Sequence, residues 1–311
     1  MSRRWSGSWG REQEPLEPVV EVLIPTVGRA AELSVTLAGL AAQEDPPFDA
    51  VISDQSANGI RSEPSIAAML RVLEAQGRGM RVERHLPRRG MAEQRNFLLE
   101  SSRAKYVLFL DDDVWCEPGL LDAIRRLGCG FVGSAVQGLS FLDDERPDEQ
   151  EPLEFFHGRI EPETIRPHTP EFQRLNLHNA ANLTHIAAQM DIVPGGWRAY
   201  RVAWVGGCCL FNRAALVASG GFDFWVDLPP GHAGEDVVAQ WRVMEKFGGA
   251  GILPTGAVHL EAPTTITDRN VEATDVVFGG RNERKNNGRQ HAQPHSGAEI
   301  PRWDGLPRIE R

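Results

Sequence analysis

Lysine is nearly absent from this chain. Of 33 basic residues only Lys105, Lys246 and Lys285 are lysine, and the other 30 are arginine. A GC-rich genome explains that bias better than chemistry, so no arginine is taken as a phosphate ligand on type alone. Basic charge is also in deficit: 43 acidic residues give a net charge of −10, which excludes a chain-wide nucleic-acid footprint. No apolar run approaches the ~18 residues of a membrane-spanning helix. The start, Ser2-Arg3-Arg4-Trp5, has arginines but no apolar stretch behind them, so it does not read as a secretory signal. Cys116, Cys129, Cys208 and Cys209 form no Cys-x-x-Cys pair. They read as reduced, buried thiols of a cytoplasmic protein. Internal repeats are missing too. What remains is ordinary globular composition, with 41% hydrophobic and 24% charged residues over 311 positions.

The positive signal is an alternation. Val19–Ile24 is a short apolar run ended by Pro25, as in a buried strand. Glu32–Gln43 sets Leu33, Leu37 and Leu40 at helical spacing. Ala50–Ser53, Arg81–Leu86, Tyr106–Leu110 and Phe131–Gln137 read as further strands. Ser65–Ala75, Gly90–Ser102 and Pro118–Leu127 read as the helices between them. Strand and helix in turn predict right-handed crossovers, hence an α/β fold with a mostly parallel sheet flanked by helices. Ligands bind such sheets beyond the carboxyl ends of the strands.

Later, Trp204–Phe211 is a compact apolar run. A helix opens at Gly234-Glu235-Asp236, with Val237, Val238, Trp241 and Met244 on one face. Ala250–Leu253 and Ala257–Leu260 read as closing strands. The chain divides into a flexible start, 1–17, a single catalytic domain, 18–266, and a polar tail, 267–311. Within the domain, 18–139 reads as a nucleotide-type half and 140–266 as a second, less regular half. The acidic run Asp143–Glu154 reads as a solvated loop, and His157, His168, His178 and His185 lack metal-ligand spacing. Arg302, Trp303 and Arg308 in the tail could meet an anionic lipid, although a polar chain end is more often simply frayed.

Several residues could carry chemistry. Asp111-Asp112-Asp113 ends an apolar strand, where mutual repulsion favours a divalent cation; a solvated turn is the competing explanation. Asp54 closes the second strand and suits either an Asx-turn or a base or ribose contact. Gly90 starts a helix whose amino end favours an anion, with Arg95 one turn in. Asp236, at a helix start, is kept ionised by the partial positive charge there and suits either an N-cap or a general base. His259 stands between Val258 and Leu260 and gains interest only if its strand returns to the acidic triplet.

Taken in order, these pieces resemble the GT-A glycosyltransferases, in particular the inverting enzymes of family 2. The resemblance runs from about Val20 to about Pro263. It rests on Ile24-Pro25-Thr26-Val27-Gly28-Arg29, Ser53-Asp54-Gln55-Ser56, Gly90–Asn96, Leu108–Asp113, and a late set. The late set is Gly206–Arg213 with Gly220-Gly221-Phe222-Asp223, followed by Gly234-Glu235-Asp236. By resemblance, Pro25, Thr26, Arg29, Asp54, Arg95, Asp111 and Asp112 would hold the donor nucleotide. Asp113 and His259 would bind Mn²⁺ or Mg²⁺, the imidazole tilting the choice to Mn²⁺. Gly206, Gly207 and Glu235 would lie near the donor sugar and the acceptor, and Asp236 would be the catalytic base. Ser53 departs from the pattern, standing where many members carry another Asp. The Gln-x-x-Arg-Trp motif of processive members is absent; Gln240-Trp241-Arg242 has another order. The expectation is a non-processive inverting transferase using a nucleoside-diphosphate sugar, with uridine the expected base. Its acceptor would be a glycan, a lipid-linked or a small molecule, and its setting cytoplasmic or peripheral at a membrane. A sugar-1-phosphate nucleotidyltransferase would need a Gly-rich first loop, which Pro25–Arg29 is not. A catalytically silent relative would not need Asp113 and Asp236.

Overall fold

A computed structural model describes residues 3–11, 16–138, 153–177, 183–193, 196–266 and 268–279. Most of the acidic run, His178, and Arg302, Trp303 and Arg308 lie outside the described residues.

The first half is a strand–helix alternation: β1 (Val20–Thr26), α1 (Ala30–Ala41), β2 (Phe48–Asp54), α2 (Pro64–Ala75), β3 (Met80–Arg84), α3 (Met91–Glu100) and β4 (Tyr106–Leu110). Then come β5 (Val114–Cys116), α4 (Leu120–Arg125), β6 (Phe131–Gly133), β7 (Gln137–Gly138), α5 (Leu183–Ala188) and β8 (Arg198–Tyr200). The chain continues through β9 (Cys208–Asn212), α6 (Arg213–Ala218), α7 (Glu235–Phe247), β10 (Gly249–Leu253), β11 (Ala257–His259) and α8 (Ala273–Phe278). Eight strands form one sheet in the order β3-β2-β1-β4-β9-β6-β10-β8, and β5-β11-β7 form a small second sheet. Strands β3, β2, β1 and β4 run parallel, as do β6 and β10; β9 runs antiparallel to β4 and β6.

The central strands are apolar on both faces because helices cover both. Val20, Val22 and Ile24 point to one face, with Leu33, Leu37 and Leu40 of α1 and Ile66, Leu70 and Leu73 of α2. Leu23, Val51, Val107 and Phe109 point to the other, with Leu98 of α3 and Val238, Trp241 and Met244 of α7. Each such fully buried aliphatic side chain contributes about 1.5–3 kcal/mol. At Gly39, α1 lies so close to β5 that an added Cβ would meet the Cys116 amide at 2.8 Å.

Two details differ from the sequence reading. Pro25 does not end β1, which continues to Thr26. Its missing N–H costs no ladder bond to β4, because that pairing covers only Val20–Leu23. The expected strand Phe131–Gln137 is two strands in two sheets. Between them the Ser134 amide donates to the Cys208 carbonyl at 2.9 Å, and the chain turns toward the second sheet. In the run Trp204–Phe211 only Cys208 onward is strand, since Gly207 takes a left-handed φ of 78°. Beyond position 266, α8 packs against α7, with Phe278 beside Trp241 at 5.7 Å between ring centroids. Near the start, the Arg3 guanidinium donates to the Gln76 carbonyl at 2.8 Å. Cys116, Cys208 and Cys209 are buried, and all four cysteines are free thiols.

Candidate active site

The carboxyl ends of β1, β2 and β4 open toward the amino end of α7, and the acidic residues gather there. The triplet leaves β4 in a turn, so its three carboxylates part company. Asp112 turns toward β1 and α1. The Thr26 hydroxyl donates to its Oδ2 at 2.7 Å, and Arg29 donates to its Oδ1 at 3.0 Å. Thr36 of α1 fixes the turn itself, donating to the Asp112 carbonyl at 2.9 Å and accepting from the Val114 amide at 3.1 Å. Burial pushes the Asp112 carboxyl up to about 6 despite these bonds.

Asp113 lies between Arg29, at 2.7 Å, and His259, whose Nε2 is 3.3 Å from its Oδ2. Strand β11 returns His259 to this place. It pairs antiparallel with β5 so that His259 faces Val114, and the Leu260 amide donates to the Asp113 carbonyl at 2.9 Å. Burial alone would raise the Asp113 carboxyl, but His259 and Arg29 outweigh it and hold it below the ordinary carboxylate range. The hydrogen bond to Asp113 in turn raises His259. Arg29 also donates to the Pro263 carbonyl, tying the segment after β11 to the start of α1.

Asp111 faces the other way, toward α3 and α7. Arg95 reaches it at 3.2 Å and reaches Glu235 at 3.1 Å, from a side chain only 7% exposed. Asp236 follows Glu235 in the first turn of α7. Burial, and then the Glu235 charge, push the Asp236 carboxyl up to about 7. Burial also raises Asp111, and the Arg95 charge only partly offsets it. Arg95 is thus the shared counter-charge of Asp111, Glu235 and Asp236, and they hold it above its ordinary guanidinium value against its own burial.

The loop before β9 supports this cluster from below. The Asp111 amide donates to the Gly207 carbonyl at 2.9 Å, and the Cys208 amide to that of Gly206 at 3.0 Å. Gln240 of α7 holds the same loop, accepting from the Val205 amide at 2.8 Å and donating to its carbonyl at 2.6 Å. At the amino end of α3, the Ala92 amide donates to His232 Nε2 at 3.1 Å while His232 Nδ1 donates to the Pro229 carbonyl at 2.7 Å. No sign of the roles of Thr36, His232 and Gln240 is visible in the sequence: Gln240 enters there only as a departure from the processive motif, His232 sits in a loop, and Thr36 looks like one more helical residue.

Asp54 is placed at the end of β2 as expected, but its carboxylate is already engaged. Oδ1 accepts from the Ser56 amide at 2.8 Å; Oδ2 accepts from the Ile60 amide at 2.8 Å and from Arg84 at 3.1 Å. Burial opposes ionisation, yet these bonds keep the carboxyl below its ordinary value. Asp54 therefore shapes the loop 55–60, beside a cleft of ≈ 210 Å³.

The residues expected to hold a metal ion fit one in type. A carboxylate oxygen and an imidazole nitrogen face each other across 3.3 Å, a donor pair suited to Mn²⁺. His259 Nδ1 accepts from the Glu261 amide at 2.9 Å, so the imidazole proton lies on Nε2, toward Asp113. A cation at Nε2 would move that proton to Nδ1, and the Glu261 amide bond to Nδ1 would then have to open. Among the described residues no group of three or more His, Cys, Asp or Glu side chains is arranged to hold a metal.

The family model for glycosyl transferase family 2 matches residues 21–189, more than half of the chain. The chain belongs to that family. The match ends before Asp236 and His259. No curated protein sequence matches the chain. Among solved structures, mannosyltransferase PcManGT from Pyrobaculum calidifontis, in complex with GDP-Man and Mn²⁺, aligns over 84% of this chain and 64% of its own. Its identity is 16% and its TM-score 0.51. TarS 1–349 from S. aureus, in complex with UDP-GlcNAc, aligns over 79% of this chain and 60% of its own, at 14% identity and a TM-score of 0.47. This chain spans less than two thirds of the length of either. The likeness to PcManGT establishes the fold as GT-A. Among the described residues no helix is long and apolar enough to cross a membrane.

Proposed function

We propose that this family member is a non-processive, inverting glycosyltransferase that moves a hexosyl group from a nucleoside-diphosphate sugar to an acceptor hydroxyl. One observation carries the reading: Asp236, raised to about 7 by burial, stands with Glu235 and Asp111 around Arg95, at the carboxyl ends of the strands. A carboxylate with a value near neutrality is both ionised often enough and basic enough to take a proton from a hydroxyl. Asp236 removes that proton as the acceptor oxygen attacks the anomeric carbon, and the diphosphate leaves from the opposite face.

The nucleotide lies over the ends of β1 and β2. Pro25, Thr26, Arg29 and the loop that Asp54 organises flank the base and ribose. Asp111 and Asp112 turn the chain beneath the ribose and diphosphate. Gly206, Gly207 and Glu235 line the sugar and acceptor side, and Arg95 holds Glu235 and Asp111 in place. Asp113 and His259 would hold Mn²⁺ or Mg²⁺. Such an ion, when bound, neutralises charge on the departing diphosphate, so a separate general acid is not required. The PcManGT complex, which contains GDP-Man and Mn²⁺ on the same fold, supports a nucleotide-sugar donor and a metal. Free buried thiols support a cytoplasmic setting.

The deciding experiment is a donor panel with purified protein and Mn²⁺, wild type against Asp236→Asn. Transfer or slow donor hydrolysis by wild type, lost in the variant while nucleotide still binds, is the expected result. Near-normal turnover by Asp236→Asn removes the base assignment.

A further inference from the structure

The cleft beside Asp54 carries information about which base it takes. It is lined by Gly28, Ser56, Asn58, Gly59, Ile60 and Glu63, among others, between the β1–α1 turn and the start of α2. Asp54 is next to it, but its two carboxylate oxygens are spent on Ser56, Ile60 and Arg84. The Ser56 hydroxyl is spent as well, accepting from the Gly28 amide at 2.8 Å. Glu63 is different. It is the N-cap residue of α2, yet its side chain accepts no bond from the helix amides. It is exposed, and among the described residues its carboxylate has no hydrogen-bond or ion-pair partner. Asn58, on the same wall, is exposed too, and among the described residues its side-chain amide has no hydrogen-bond partner.

A free carboxylate sorts bases by the pattern on their hydrogen-bonding edges. Guanine presents two adjacent donors, N1–H and N2–H, which one carboxylate accepts together. Its O6 then faces a donor such as the Asn58 amide. Uracil presents a single N3–H between two carbonyls, so the second carboxylate oxygen would face a carbonyl lone pair. Adenine and cytosine each offer one donor beside a bare ring nitrogen, with the same conflict. Charge-assisted pairs of this two-pronged kind are the strong ones, and a missing partner is costly.

We infer that the donor of this enzyme is a guanosine-diphosphate sugar, and that Glu63 reads the guanine edge through N1–H and N2–H. This replaces the uridine expected from the sequence. It rests on the nucleotide-sugar reading above and names the base for that same site.

Calorimetric titration of the full chain with GDP, IDP, UDP and ADP, in Mn²⁺, tests it. Inosine keeps N1–H and lacks the N2 amino group. GDP is expected to bind at least about tenfold tighter than IDP, UDP or ADP. In Glu63→Ala the gap between GDP and IDP closes, while UDP affinity does not fall, since Glu63 makes no side-chain bond that the fold needs and its conflict with a uracil carbonyl is gone. Tighter binding of UDP than of GDP overturns the inference and leaves the transferase reading intact. So does a GDP–IDP gap that survives in Glu63→Ala. If none of the four nucleotides binds, the nucleotide-sugar reading itself falls.

Discussion

Arg95 and Glu235 form a buried ion pair, Nε to Oε1 at 3.1 Å, that fastens α3 to the first turn of α7. The same guanidinium reaches Asp111 at the end of β4. One side chain therefore links the strand end expected to carry the nucleotide with the helix end expected to carry the base. Its charge is what allows three carboxylates to share so small a space.

Replacing Arg95 by Met leaves those carboxylates without a counter-charge. Removing one partner of a buried pair costs about 3–5 kcal/mol. Urea unfolding of Arg95→Met at pH 8 is expected to show a loss of that order. The deficit should shrink toward pH 5. Asp236 has a folded value of about 7, above its unfolded one, and losing Arg95 raises it further. A raised carboxyl stabilises the fold below its unfolded value and loses that contribution as pH rises through the folded one. A deficit independent of pH would mean that packing of α3, and not charge, is what Arg95 supplies.

Asp236→Asn separates catalysis from binding. General-base help is worth about 10²–10⁴-fold, so kcat should fall by that factor while nucleotide affinity changes little. In the wild type, kcat at saturating donor should rise with pH and level off above about 7, where Asp236 is ionised. Asp236→Asn should lose that rising limb. A residual rate with an unchanged limb would assign the titration to another group.

Asp113 and His259 make the metal testable without any turnover. Mn²⁺ added with a nucleoside diphosphate is expected to raise the unfolding temperature, because ligand bound to the native state stabilises it by mass action. EDTA should reverse the shift, and Asp113→Ala should abolish it. His259→Ala should weaken it by an intermediate amount, since a carboxylate ligand remains. An equal shift in EDTA would show that the nucleotide binds without an ion.

The sequence exposed the strands and the triplet because those signals are local. Tyr106–Leu110 is an unbroken apolar run stopped by charge, and Leu33, Leu37 and Leu40 repeat at helical spacing. The same reading placed Asp236 at a helix start, where it is found. What stayed hidden depends on contacts between distant segments. Nothing near Arg29 in sequence reveals that it spans Asp112, Asp113 and the Pro263 carbonyl. The Asx-turn that the sequence offers for Asp54 is present in its bond from the Ser56 amide, but the further bonds from Ile60 and Arg84 are three-dimensional facts. The run Phe131–Gln137 looked like one strand because its apolar pattern carries no mark of a change of sheet.

Gly207 is where backbone shape and site geometry meet. Its φ is 78°, and a Cβ there would lie 2.4 Å from Val136 Cγ2. Gly207→Ala incurs two costs: about 1–2 kcal/mol for the left-handed backbone and about 1–3 kcal/mol for overlap. Val136→Ala in the same chain should recover the overlap and leave the backbone cost. Unfolding free energies of the four variants in that cycle separate the two. The Gly207 carbonyl accepts from the Asp111 amide at 2.9 Å, so the single variant should also weaken nucleotide binding. The double variant should restore that affinity in proportion to the stability it regains. Full stability in Gly207→Ala would show that the loop before β9 relaxes freely, and that it does not set the position of Asp111.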